Sequence, residues 1–196
     1  VSKGQETKTA ILDEAAQVAS KVGFNALTIG HLADVTSMSK SGLFAHFRSK
    51  EQLQLQTLEH ARQQMVDVVI RPALRAPRGE PRVRELFDRW LDWATDTLSG
   101  GCIFVAASFE YDDQPGPMQD AIVGQKQEWR DLVVGVTRMA VTEGHFRADL
   151  DPEQFAFEFE AITVGYHLYV RLLHDEQAAN RVRTAFESLL AAARPT

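Results

Sequence analysis

Ser39, Lys40 and Ser41 open a short segment with one apolar face and offer two hydroxyls and an ammonium within a single helical turn. An earlier short segment, Ile29 to Thr36, is joined to it by a tight break at Ser37-Met38. Two short helices so linked match the helix-turn-helix plan, in which the second helix enters the major groove of DNA. The same spacing occurs in proteins that never touch DNA, so the pattern by itself leaves both readings open. Thr28 and Ser39 each stand where a helix needs an N-cap, and their hydroxyls serve that role with or without nucleic acid. Taken singly, Lys40 and Lys50 read as solvated surface lysines, and His46 suits packing as well as contact.

The elements that must position these groups follow from apolar periodicity. Ile11, Ala15, Val18, Ala19 and Val22 predict a first helix over 8–22, capped by Thr7 and ended by Gly23. Ile29, Leu32 and Ala33 predict the second helix, and Leu43 with Phe47 gives the third its core face. Ser49-Lys50-Glu51-Gln52 reads as a capping box, with the Ser49 hydroxyl and the Gln52 side chain each satisfying the other residue's free amide. It predicts a long fourth helix that stops at Pro72, followed by a flexible connector over 72–81 containing Pro77, Gly79 and Pro81. Further helices are expected over 83–98, 102–110, 118–143, 152–174 and 177–193, with Gly100-Gly101, Gly144 and Asp151-Pro152 as punctuation. No segment alternates as a strand would. The expected fold class is all-α, with a helix-turn-helix DNA-binding domain over 1–50 and a helical ligand-binding and dimerisation domain over 51–196.

Charge is distributed unevenly. The chain carries −6 overall, yet Lys3, Lys8, Lys21, Lys40, Arg48 and Lys50 outnumber Glu6, Asp13, Glu14 and Asp34 in the first fifty residues. A basic amino-terminal part permits contact with a polyanion, although surface fluctuation gives the same excess. The single cysteine, Cys102, cannot form an intramolecular disulfide. Together with the expected lack of a signal segment and of any apolar run long enough to span a bilayer, this predicts a soluble, cytoplasmic protein without membrane contact.

The carboxy-terminal part has chemistry of another kind. Trp90, Trp93, Phe104, Phe109 and Trp129, with His167 as a polar exception, supply aromatic surface for a pocket between helices, although aromatics at helical spacing are usually core. The segment 152–174 carries two apolar stripes, Phe155, Phe159, Ile162, Tyr166, Tyr169 and Leu173 on one, Phe157, Ala161, Val164, Leu168 and Leu172 on the other. A helix apolar on two sides is central in a large core or shared with a second subunit, and for this chain length the shared reading is the expectation. Phe186, Leu189 and Leu190 on the last helix would complete a four-helix dimer interface. Glu110, Asp112 and Asp113 lack the ligand spacing of a calcium loop and read as a solvated loop. There is no Gly-rich phosphate loop, nucleophile elbow, paired-cysteine metal motif or His-Glu-x-x-His run. The expectation is therefore no enzyme, no catalytic residues, no metal and no cofactor.

Leu32-Ala33, Ser39, Leu43-Phe44, His46-Phe47 and Ser49-Lys50-Glu51 resemble the amino-terminal signature of the tetracycline-repressor (TetR) family. The resemblance is strong over residues 8–55. It implies a homodimer whose reading heads bind operator DNA and release it when a small molecule binds the carboxy-terminal domain. Position by position it implies a phosphate contact at Thr28 and another at Lys50. It sets Ser39, Lys40 and Ser41 against base edges, where Lys40 can donate to guanine O6 and N7, and it lays Phe44 and His46 along the backbone. The chain departs from the family where Phe44 replaces a common tyrosine and where Ser37 and Ser41 replace common glycines. Three functions remain distinct: a ligand-released repressor, an activating or Cys102-based redox-responsive regulator on the same fold, and a helical ligand-binding protein without operator recognition.

Overall fold

In the computed structural model, residues 3–195 are described, and they form helices joined by turns with no strand among them. Helix α1 (Lys3–Val22) begins before the expected Thr7 cap, with Glu6 in its first turn where the helix dipole favours an acid. Gly23 ends it with φ +83°. α2 (Ile29–Thr36) and α3 (Lys40–His46) follow, and α4 (Lys50–Met65) starts after the Ser49 cap. The capping box is only half as expected. The Ser49 hydroxyl accepts from Gln52 N–H at 3.1 Å, whereas the Gln52 side chain accepts from Arg48 N–H at 2.8 Å.

Pro72 does not stop the fourth helix. Proline lacks an N–H, and its ring crowds the carbonyl four residues back. Here the backbone widens into a π-helical turn over Val66–Ile70, and the helix resumes as α5 (Arg71–Arg75). The expected flexible connector over 72–81 shrinks accordingly to the turn before α6 (Glu80–Asp92). A second π-helical turn, Trp93–Thr97, extends α6. α7 (Ile103–Glu110), α8 (Pro117–Thr142), α9 (Pro152–Arg171) and α10 (Ala178–Ala193) complete the chain.

Two compact units are present, one formed by residues up to Val66 with Trp93–Gln125, the other by Asp67–Asp92 with the residues from Lys126 onward. In the first, Ile11, Ala15, Leu32, Leu43, Phe47, Leu53 and Leu58 form a closed apolar core. α1 is also tied to the turn before α7. Gln17 donates to Thr97 O at 3.0 Å and accepts from Ser99 N–H at 3.1 Å. A Cβ on Gly100 would lie 1.9 Å from the Ser20 carbonyl oxygen, so only glycine fits there. In the second unit Phe87 stacks on Phe186 with ring centroids 3.8 Å apart, and Phe159 meets both edge-on at 5.8 Å. Asp151 caps α9 by accepting from Glu153 N–H at 2.9 Å.

Candidate nucleic-acid interface

The two capping hydroxyls act as their positions in the sequence require. Thr28 Oγ1 accepts from His31 N–H at 3.1 Å, and Ser39 Oγ accepts from Gly42 N–H at 3.0 Å. Each fixes the first turn of a helix too short to hold itself together in water. Ser37, at the C-terminus of α2, takes a left-handed conformation with φ 56°, the position where a glycine is free of strain. The buried faces of α2 and α3 are Ile29, Leu32, Ala33 and Leu43, and Phe47 closes the core behind them. The opposite face holds the predicted contact groups. Ser39, Lys40, Ser41 and Lys50 are exposed, Phe44 is 52% exposed, and His46 is half-buried with its ring 6.2 Å from that of Phe47.

Local contacts divide these groups by chemistry. Ser39 and Ser41 hydroxyls lie 3.2 Å apart. The Lys40 ammonium lies 3.8 Å from where a Cβ on Gly30 would stand, and Thr28 Oγ1 is equally near that point. Lys40 therefore reaches back against Gly30 in the first turn of α2. Lys8 places its ammonium 5.8 Å from the Phe47 ring centroid, at the far end of α3. Lys50, the first residue of α4, donates to the Asn25 carbonyl at 2.6 Å.

A group that sequence reasoning assigned to a solvated loop belongs to this site. Glu110 is the last residue of α7, and its carboxylate accepts from Phe24 N–H at 2.8 Å and from Asn25 N–H at 2.6 Å. The Gln54 side-chain amide donates to the Phe24 carbonyl. Tyr111 donates its hydroxyl to Asn25 Oδ1 at 3.2 Å, and burial, then the Glu110 charge, pushes its pKa up to about 12. Glu110 and Tyr111 lie more than eighty positions from the loop they hold, beyond the reach of any local pattern. Asp112 and Asp113 are exposed, as expected.

The aromatic candidates separate into two groups. Trp93 stacks on Phe104 at 6.3 Å in the first unit, and its indole Nε1 is buried with no hydrogen-bond partner among the described residues. In the second unit Trp90 meets Tyr166 edge-on at 6.0 Å, and Trp129 lies 6.3 Å from Phe159. Phe109 is 62% exposed. His167 is half-buried, and burial, then the Arg171 charge, lowers its pKa below the usual histidine value. Cys102 is buried at the start of α7. On α9 and α10, Phe159, Tyr166, Phe186, Leu189 and Leu190 are buried within the protomer, Ile162 is partly covered, and Tyr169 and Leu173 are exposed. Phe157, Leu168 and Leu172 of the second stripe are exposed by 68%, 46% and 69%. No helix among the described residues is long and apolar enough to cross a membrane, and no cluster of potential metal ligands occurs among them.

Comparison with known proteins agrees with this architecture. The HTH-type transcriptional repressor KstR2 of Rhodococcus jostii (strain RHA1) is 28% identical over 171 residues, covering 78% of this chain and 73% of the relative. A TetR transcriptional regulator from Chloroflexus aurantiacus J-10-FL has a TM-score of 0.85 at 23% identity, with 97% of this chain and 96% of that chain covered. AibR, solved in complex with isovaleryl coenzyme A and operator DNA, has a TM-score of 0.73 at 19% identity, with coverage of 96% and 99%. Residues 11–57 match the model of bacterial regulatory proteins of the tetR family, whose members are DNA-binding regulators rather than enzymes. Residues 79–186, more than half the chain, match the tetracyclin repressor-like C-terminal domain, and the chain therefore belongs to the TetR family of transcriptional regulators.

Proposed function

We propose that the protein is a homodimeric repressor that sets α3 of each protomer into successive major grooves of a pseudo-palindromic operator and leaves it when a small molecule binds. The observation that carries this reading is the pair of capped helices α2 and α3, with Leu32, Leu43 and Phe47 buried on one side and Ser39, Lys40, Ser41 and Phe44 exposed on the other. Thr28 and Lys50 contact phosphate. Lys40 starts from a position over the first turn of α2, against Gly30, that favours phosphate as well, leaving Ser39, Ser41 and Phe44 nearest to base edges. His46 follows the backbone.

The second subunit packs on α9. Phe157, Ala161, Val164, Leu168 and Leu172 share one helical face; Tyr169 and Leu173, exposed at the end of the other stripe, lie outside it, and Phe159, Ile162, Tyr166, Phe186, Leu189 and Leu190 support α9 from within the protomer. The ligand is met within the first unit by Trp93, Phe104 and Phe109, where the unpaired Trp93 indole N–H supplies a donor for a ligand acceptor, whereas Trp90, Trp129 and His167 belong to the second unit. The protein works in the cytoplasm. AibR was solved with isovaleryl coenzyme A, so coenzyme A thioesters are the first ligands to screen. Selection from a pool of randomised duplexes tests the reading. A palindromic winner bound by two protomers supports it; no enrichment refutes it.

A further inference from the structure

Two charges in the first unit oppose the dipoles of their own helices. Lys50 is the first residue of α4, where the partial positive charge of a helix N-terminus disfavours a cation. Glu110 is the last residue of α7, where the partial negative charge disfavours an anion. Residues that break a local rule in a folded protein are expected where function asks for them. These two meet at the same dipeptide. The N–H groups of Phe24 and Asn25 both point into the Glu110 carboxylate, at 2.8 and 2.6 Å. Their carbonyls accept from α4, Phe24 O from Gln54 and Asn25 O from Lys50 at 2.6 Å.

The backbone here forms an anion-binding nest. Gly23 is left-handed at φ +83°, and the two successive N–H groups after it converge on one anion, which this chain supplies itself. A Cβ on Gly23 would come within 2.8 Å of Glu110 Oε1, so the glycine serves both the turn and the approach of the carboxylate. The Asn25 side chain is held as well, by the Tyr111 hydroxyl at 3.2 Å and by Gln114 at 3.3 Å. Three residues beyond Asn25 stands Thr28, the cap of α2.

We infer that Glu110 is a positioning residue for DNA binding: its grip on Phe24-Asn25 holds Lys50 and Thr28 in fixed relation, so that the end of α7 sets the two phosphate contacts together. α7 is then the member through which a displacement in this unit reaches the reading head. The inference rests on the phosphate roles proposed above for Lys50 and Thr28. Gln at position 110 retains one acceptor oxygen and turns an amide N–H toward a backbone N–H, which breaks the two-donor grip while preserving size.

The test is a double-mutant cycle of Glu110→Gln with Lys50→Ala, read by fluorescence anisotropy on a random-sequence duplex at low salt, with thermal melts of every variant. A random duplex needs phosphate contacts only, so the cycle works whether or not an operator is selected. Lys50→Ala should weaken binding about tenfold and Glu110→Gln about fivefold, each through loss of phosphate contact. The double variant should fall below Lys50→Ala by clearly less than the fivefold that Glu110→Gln costs alone, because part of what Glu110 does is done through Lys50 and only the Thr28 part remains. If Glu110→Gln unfolds, Tyr111→Phe, which loosens the same dipeptide by a single hydrogen bond, takes its place in the cycle. Binding equal to wild type in the loosened variant, or losses that multiply in the double variant, would overturn the inference. A wild-type protein that binds no duplex at all would overturn both the inference and the regulator reading, whereas coupled losses without an enriched sequence would leave only the latter refuted.

Discussion

At the residue scale, the site is a set of short polar side chains held by caps, with lysines that differ in reach. Lys50 is anchored to Asn25 and Lys40 reaches over α2, so both should act on phosphate. Lys50→Ala and Lys40→Ala are each expected to weaken all duplexes evenly and to lower the salt slope by about one. A base-preference profile that changes only for Lys40→Ala would return that residue to direct readout, the role its resemblance to the family implies. Ser37 gives a second expectation at this scale. Its left-handed backbone at φ 56° is strained for any residue with a Cβ, so Ser37→Gly should raise stability by about 0.5 kcal/mol, strain relief exceeding the added chain entropy. Urea unfolding measures it, and a loss of stability would show that the serine side chain contributes more than its strain costs.

At the element scale, local sequence signals located the helices that carry the site well, because caps and apolar faces act over one or two turns. Thr28, Ser39 and Asp151 cap as their positions imply, and Leu43 and Phe47 are fully buried. What sequence could not show depends on distant partners or on a backbone choice. Pro72 reads as a stop, yet a π-helical turn lets the helix pass through it. Glu110 reads as a solvated acid at the end of the helix expected over 102–110, yet its carboxylate grips a segment 86 positions away. Glu80 is similar. It begins α6 and accepts from Arg194 at 2.6 and 2.9 Å and from Arg84 at 2.7 Å. The hydrogen bond from Arg194, then that from Arg84, holds its pKa down at about 2 against the opposing effect of burial. A carboxylate depressed in the folded state contributes stability that is present above its unfolded value and lost as pH falls through the folded one. The stability difference between wild type and Glu80→Gln should therefore persist at pH 7 and vanish between about 4.5 and about 2, as followed by urea midpoints. A difference independent of pH over that window would mean that packing, not charge, is what Glu80 supplies.

At the scale of the whole molecule, operator recognition requires two reading heads at a fixed separation, and α9 is where the second copy would attach. Its two stripes were visible in the sequence, but which of them remained uncovered in the protomer was not, since that depends on how α6 and α10 fill the core around Phe159 and Tyr166. Leu168→Glu adds a charge to the 46%-exposed position at the middle of the open stripe. It should yield a folded monomer by light scattering, with unchanged helical circular dichroism and operator affinity reduced by at least about a hundredfold, since a monomer reads one half-site. A variant that stays dimeric would move the interface elsewhere. Operator recognition by a dimer can be measured by titrating a selected duplex and a scrambled duplex of equal length with wild-type protein over a series of salt concentrations. Two protomers should bind the selected duplex, with affinity at least about a thousandfold above the scrambled one and a fall in both with rising salt. Equal, weak and stoichiometrically undefined binding to the two duplexes would contradict it.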